Sequence, residues 1–248
     1  MKRGQVTIFV VAGILVVFGV GLYFALHMSS SSSNVDFGNP KDSVLLCIEE
    51  PIRQAILELL EKGGVENPQL RIAYKGINYT YLCHSAEYFQ KCINRYPFFF
   101  EDFEESINEK SKIIIKECFD KTKNEYKKIG YDVDGNFRGS SLEIIPGSLR
   151  VKINATLNLT RGDSSIFLEN MDFEIPSPVY KILNLVLRII NSEADLCDFL
   201  HGDYMILNPD ILIRRIYYKG SKLYEITDKK SDYKIKFAVR GCVRNIWS

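Results

Sequence analysis

The chain has 248 residues, of which 46% are apolar and 25% are charged, and its formal net charge is +1. A charge this close to zero provides no strong field for a nucleic acid, so we expect no nucleic-acid partner. The length suits one large domain or two small ones, and the apolar fraction is sufficient for a packed core.

An uncharged apolar segment occupies residues 6–26. Because about 20 helical residues cross the hydrocarbon of a bilayer, the segment predicts a transmembrane helix whose partner is the lipid bilayer. Lys2 and Arg3 precede it, and the next charged residue is Asp36. The positive-inside rule then predicts a single-pass protein of the cell membrane with a cytoplasmic N-terminus and an extracellular C-terminal domain. A cleaved signal peptide and a buried core helix are the alternatives.

The residues before this segment are Lys2-Arg3-Gly4-Gln5. They resemble the processing site of archaeal type IV pilin-like proteins, in which basic residues, Gly and Gln precede an apolar helix. Uncharacterised archaeal membrane-anchored proteins with the same flank are similar over this stretch. The resemblance implies cleavage by a prepilin peptidase between Gly4 and Gln5. The family usually carries a Glu five places after the cleavage site, where it helps to align subunits in a filament. In this chain the corresponding residue is Phe9. An ordinary basic flank is the alternative interpretation.

The organisation expected after this segment is a linker and one folded domain. Residues 29–33 are consecutive serines, which are typical of a flexible linker. We therefore divide the chain into a cytoplasmic flank and anchor (1–28), a linker (29–41) and an extracytoplasmic domain (42–248).

Three segments of this domain carry apolar residues at three- and four-residue spacing, which predicts amphipathic helices. The segments are residues 42–62, 98–127 and 179–199. Pro51 lies within the first segment and is expected to kink that helix or to start its main part. Acidic residues open the second segment, where they match the helix dipole better than they match a metal site.

The remaining segments alternate apolar and polar residues, which predicts strands. A hairpin is expected at 71–84, and two meanders are expected at 141–175 and 211–239. Residues 132–136 resemble the start of a calcium loop, but the glycine that such a loop needs is replaced by Phe137, so we interpret them as an Asp-Gly hairpin turn. The predicted fold class is α+β: a transmembrane helix, then an ectodomain of antiparallel sheet with three amphipathic helices.

Six cysteines in an extracytoplasmic domain predict up to three disulfides. Fifteen pairings are possible. The expected packing of the first two helices favours a Cys47–Cys118 bridge, and closeness in the chain favours Cys83–Cys92. Cys197 then remains for Cys242. Free cysteines that are buried as small apolar residues are the alternative.

Three sequons, at Asn78, Asn154 and Asn158, could carry N-glycans in such a compartment. Asn154 and Asn158 are separated by an even step and so share one strand face. A solvated strand face without sugar is the alternative interpretation.

No catalytic motif is present in the sequence, and we expect neither an enzyme nor a bound cofactor or metal. Cys83 and His84 could form a nucleophile and a base, but adjacent strand residues point to opposite faces. We predict a structural or adhesive cell-surface protein of pilin-like type, with self-association or a surface protein as its partner. The alternative is a membrane-tethered binding subunit for an extracellular ligand or partner protein.

Overall fold

The computed structural model describes residues 39–243. In chain order, these residues form α1 (Pro40–Glu61), β1 (Arg71–Tyr74), β2 (Ile77–His84), β3 (Ile93–Asn94), α2 (Phe99–Lys128), β4 (Asp132–Ile145), β5 (Ser148–Arg161), β6 (Ser164–Pro176), α3 (Val179–Leu196), α4 (His201–Leu207), β7 (Ile211–Tyr218), β8 (Ser221–Asp228) and β9 (Lys234–Arg240).

The class is α+β, but the fold-class prediction is wrong in its helices. Residues 39–243 contain four helices where three were expected, because α4 adds a short one. No helix in this described part is both long and apolar enough to cross a membrane. The segment on which the membrane span was predicted, residues 6–26, lies outside the described residues.

The strands form two sheets. One sheet has the order β1-β2-β9-β8-β7, with β3 added to β2, and the other is the meander β4-β5-β6. In the first sheet, β2 and β9 are parallel, with Thr80 opposite Phe237. The expectation of purely antiparallel sheet is therefore wrong at this one pair, and β9 lies inside the sheet instead of at its edge.

The core lies between the helices and the inner faces of both sheets. Strand β5 shows why: its alternate residues are all at most 1% exposed, and they are Leu149, Val151, Ile153, Ala155, Leu157 and Leu159. The apolar faces of α1, α2 and α3 belong to the same buried cluster. Each fully buried aliphatic side chain contributes about 1.5–3 kcal/mol, so this shared core is the main source of stability.

Helix α1 is continuous through Pro51, which lies on its exposed side. The main part of the helix therefore does not start at this proline. The helix ends at Glu61 and is followed by Gly63 and Gly64, whose φ angles are +81° and +77°. The Gly64 amide donates to the Leu59 carbonyl at 2.9 Å, which closes the last turn in the way that glycine allows.

Residues 132–136 belong to strand β4, so the interpretation as a turn is wrong. Asp134 lies opposite Asn158, and Gly135 lies opposite Leu157. A Cβ atom at Gly135 would lie 3.1 Å from Leu157 Cδ1. The glycine thus serves a close approach between neighbouring strands, and it does not mark a change of chain direction.

Candidate functional site

All six cysteines are paired, so the expectation of disulfides is confirmed. The pairs are those favoured above. Cys47 of α1 joins Cys118 of α2 with 5.7 Å between Cα atoms, and Cys83 of β2 joins Cys92 at 5.3 Å. Cys197, which follows α3, joins Cys242, which follows β9, at 5.9 Å. The first and third bridges join segments that are 71 and 45 residues apart, whereas Cys83–Cys92 closes a local loop of separation 9.

The Cys83–Cys92 bridge leaves no thiol beside His84, so these residues do not form a nucleophile and base. The ring of His84 instead packs edge-on against Tyr81, with 4.8 Å between ring centroids. Burial lowers the pKa of His84, and the positive charges of Arg240 and Arg95 lower it further. The folded domain therefore binds a proton at His84 more weakly than the unfolded chain does.

This difference predicts a pH dependence of stability. The contribution of His84 is fully present above its unfolded pKa of 6.5 and is lost as the pH falls from there towards its lower folded pKa. We expect the free energy of unfolding to fall between pH 7.5 and pH 5.5, and His84→Gln to remove most of that fall. Urea unfolding of both proteins at the two pH values measures it. An equal fall in His84→Gln would contradict the assignment.

The three sequon asparagines lie in different surroundings. Asn154 is exposed on the outer face of β5, whereas Asn158 is half-buried and its Oδ1 accepts a hydrogen bond from Ser165 at 3.2 Å. Asn78 is exposed, but Thr80 of its sequon is buried and donates to the Lys62 carbonyl at 2.6 Å. Of the two exposed asparagines, only Asn154 belongs to a sequon whose threonine is not buried. Glycosylation at all three sites stays a prediction.

The residues of the predicted processing site, Gly4 and Gln5, lie outside the described residues. Cleavage there likewise stays a prediction.

A buried carboxylate on α3 was missed by the sequence reasoning. Glu193 is 1% exposed. Its Oε2 accepts a hydrogen bond from Lys222 Nζ at 2.6 Å, and its Oε1 accepts one from the Tyr224 hydroxyl. Burial, together with the negative charge of Glu193, raises the pKa of Tyr224. Both carboxylate oxygens have donors, so this cluster ties α3 to β8 and leaves no free base.

A charged cleft of about 580 Å³ lies beside the β1–β2 hairpin. Its cationic side chains are Lys62, Arg71, Lys234 and Lys236, and its anionic ones are Glu58 and Glu61. Lys62 pairs with Glu66 at 3.2 Å. The remaining charges of both signs suit a polar ligand, but they do not select one chemical class.

A second groove of about 490 Å³ lies between α2 and β4. Its apolar lining side chains are Ile113 and Phe137, and its charged ones belong to α2: Lys112, Lys116, Glu117 and Asp120. Ser140 of β4 also lines it, and its buried Oγ has no hydrogen-bond partner. Two apolar side chains among charged ones can bind a ligand that has both apolar and charged groups.

One carboxylate from the acidic start of α2 contacts the neighbouring sheet. Glu104 Oε2 accepts a hydrogen bond from the Ile144 amide of β4 at 2.7 Å. Within residues 39–243, no three ligating side chains come together as a metal site.

In comparisons with known proteins, no family model, no curated protein and no solved structure matches this chain.

Proposed function

We propose that this protein acts at the cell surface, outside the cytoplasm, in a structural or adhesive role. The observation that supports the proposal is the pairing of all six cysteines into three bridges. Disulfides persist in oxidising compartments and are rare where glutathione keeps thiols reduced.

The size of the core adds to this argument. Small secreted domains need disulfides because their cores are insufficient, but this domain already has one large core that joins helices and both sheets. Bridges added to such a core raise resistance to unfolding beyond what folding itself requires. That property suits a protein exposed outside the cell, where an unfolded molecule is lost to proteolysis or aggregation.

Immunogold electron microscopy of intact cells tests the proposal, with antibodies raised against residues 40–243. We expect gold on the outer surface without permeabilisation, concentrated in filaments, arrays or cell contacts. Alkylation of the unreduced protein from the same cells should find no free thiol. Labelling that requires permeabilised cells, or six alkylatable thiols, would contradict the proposal.

The second candidate is a binding subunit for an extracellular ligand or partner, which is favoured by the groove between α2 and β4. The same micrographs separate the two candidates. Gold dispersed over the surface, without arrays or contact zones, favours the binding subunit.

A further inference from the structure

We propose that the groove between α2 and β4 binds an extended peptide segment of a partner protein, which pairs with the open edge of β4. We call this place the β4 gap; it comprises residues 137–140 of β4 and the facing residues 112–120 of α2. The inference goes beyond the proposed surface role and holds whether that role is structural or binding.

Helix α2 covers the edge of β4 on both sides of the gap. On one side, Asn108 Oδ1 accepts from the Leu142 amide at 2.9 Å, in addition to the bond from the Ile144 amide to Glu104. On the other side, Lys123 Nζ donates to the Gly135 carbonyl at 2.8 Å. These side chains take the place of a neighbouring strand. An uncovered strand edge offers its amides and carbonyls to another chain.

The spacing of α2 explains why coverage stops at the gap. Four helical residues rise about 6 Å, and two strand residues span about 6.6 Å. Every fourth residue of α2 therefore lies opposite every second residue of β4. After Glu104 and Asn108, this step places Lys112 opposite Ser140. Lysine has no acceptor atom. Lys112 therefore cannot accept a hydrogen bond from a backbone amide of β4, and its Nζ pairs with Glu109 at 2.6 Å instead.

The amide of Ser140 points towards this opening. Alternate residues of a strand direct their backbone groups to the same edge, so Ser140 follows Leu142 and Ile144. No side chain of α2 in the described part bonds to the backbone of residues 137–140. The Ser140 side chain adds a second polar group in the same place, since its buried Oγ lacks a partner. Buried polar groups are ordinarily paired, so the unpaired Oγ, beside an amide that no α2 side chain covers, indicates a ligand that brings acceptors.

The walls of the gap define the chemistry of that ligand. Ile113 is 64% exposed and lines the groove with Phe137, which favours a large apolar side chain. Both ends are charged: in the register given above, Lys112 lies opposite Ser140, and Asp120, eight helix residues later, lies towards the Phe137 end. The complementary peptide carries an apolar residue between an acidic and a basic one, at alternate positions of an extended chain. Strand addition to a sheet edge binds peptides in this way.

Hydrogen exchange of the purified full chain tests the opening itself. We expect the Ser140 amide to exchange at least ten-fold faster than the amides of Leu142 and Ile144. Equal protection of the three amides would show that the edge is closed and would overturn the proposal.

Selection from a phage-displayed library of eight-residue peptides tests the ligand. We expect enrichment of the acidic–apolar–basic pattern, and protection of the Ser140 amide by the enriched peptides. Ile113→Ser should weaken their binding at least ten-fold, whereas Leu46→Ser, at a side chain 65% exposed on α1, should leave it unchanged. No enrichment, equal binding to Ile113→Ser, or no protection of Ser140 would each overturn the proposal.

Discussion

Replacement of Lys222 by methionine is expected to lower the free energy of unfolding by about 3–5 kcal/mol. The Lys222 ammonium is the cation that lies 2.6 Å from the buried Glu193 carboxylate. Methionine keeps the apolar length of the side chain and removes the charge, so Glu193 stays buried without its counter-ion. Breaking one side of a buried pair costs more than the pair itself contributes, because the remaining charge is uncompensated.

Urea unfolding measures this effect, and two further variants serve as controls. Lys222→Met combined with Glu193→Leu should recover most of the lost stability, because neither charge is then buried. Arg150→Met removes a cation that is 36% exposed in its surface pairs and should cost less than about 1 kcal/mol. If Lys222→Met cost no more than Arg150→Met, the buried pair would not stabilise the fold.

Removal of the Cys47–Cys118 bridge by alanine at both positions is expected to lower the free energy of unfolding by about 4 kcal/mol. The bridge closes a loop with a sequence separation of 71 residues. In the chain-entropy account, a bridge stabilises by restricting the unfolded chain, and the restriction grows with loop length. The bridge also joins α1 to α2, so its loss removes a covalent link between these two helices.

The Cys83–Cys92 bridge is the matched control, since its separation is only 9 residues. The same account gives it about 2.5 kcal/mol. Urea unfolding of both double-alanine variants under non-reducing conditions provides the comparison. A larger loss from Cys83–Cys92 than from Cys47–Cys118 would show that loop length does not govern the stabilisation.

Most helices and strands were predictable because their burial pattern is local. Strand β5 alternates over its whole length, and α3 repeats its buried residues at helical spacing. The short helix α4 was missed because seven residues are too few to show a helical period and none of them is buried. Asp134 and Gly135 were misread because the same dipeptide serves a turn or a close strand approach, and only the neighbouring strand decides between them.

Features that depend on distant pairing were not predictable. Nothing near Thr80 in the sequence indicates a parallel partner at Phe237. The disulfide pairs could be inferred because the first two helices were recognised, because Cys83 and Cys92 are close in the chain, and because two cysteines then remained. The β4 gap could not be inferred, although the four-residue spacing of Glu104, Asn108, Lys112 and Lys116 is visible in the sequence. Its meaning depends on the register between α2 and β4, which only the folded chain establishes.

Because β9 lies inside its sheet, it affects the order in which the strands can pair during synthesis. Strands β2 and β8 both pair with β9, which is the last strand of the described chain. Until it is synthesised, each of them presents an unpaired edge. The Cys197–Cys242 bridge must also wait, because Cys242 follows β9. Among the described residues, the sheet is thus completed from its C-terminal end, and it cannot close before β9 has been synthesised.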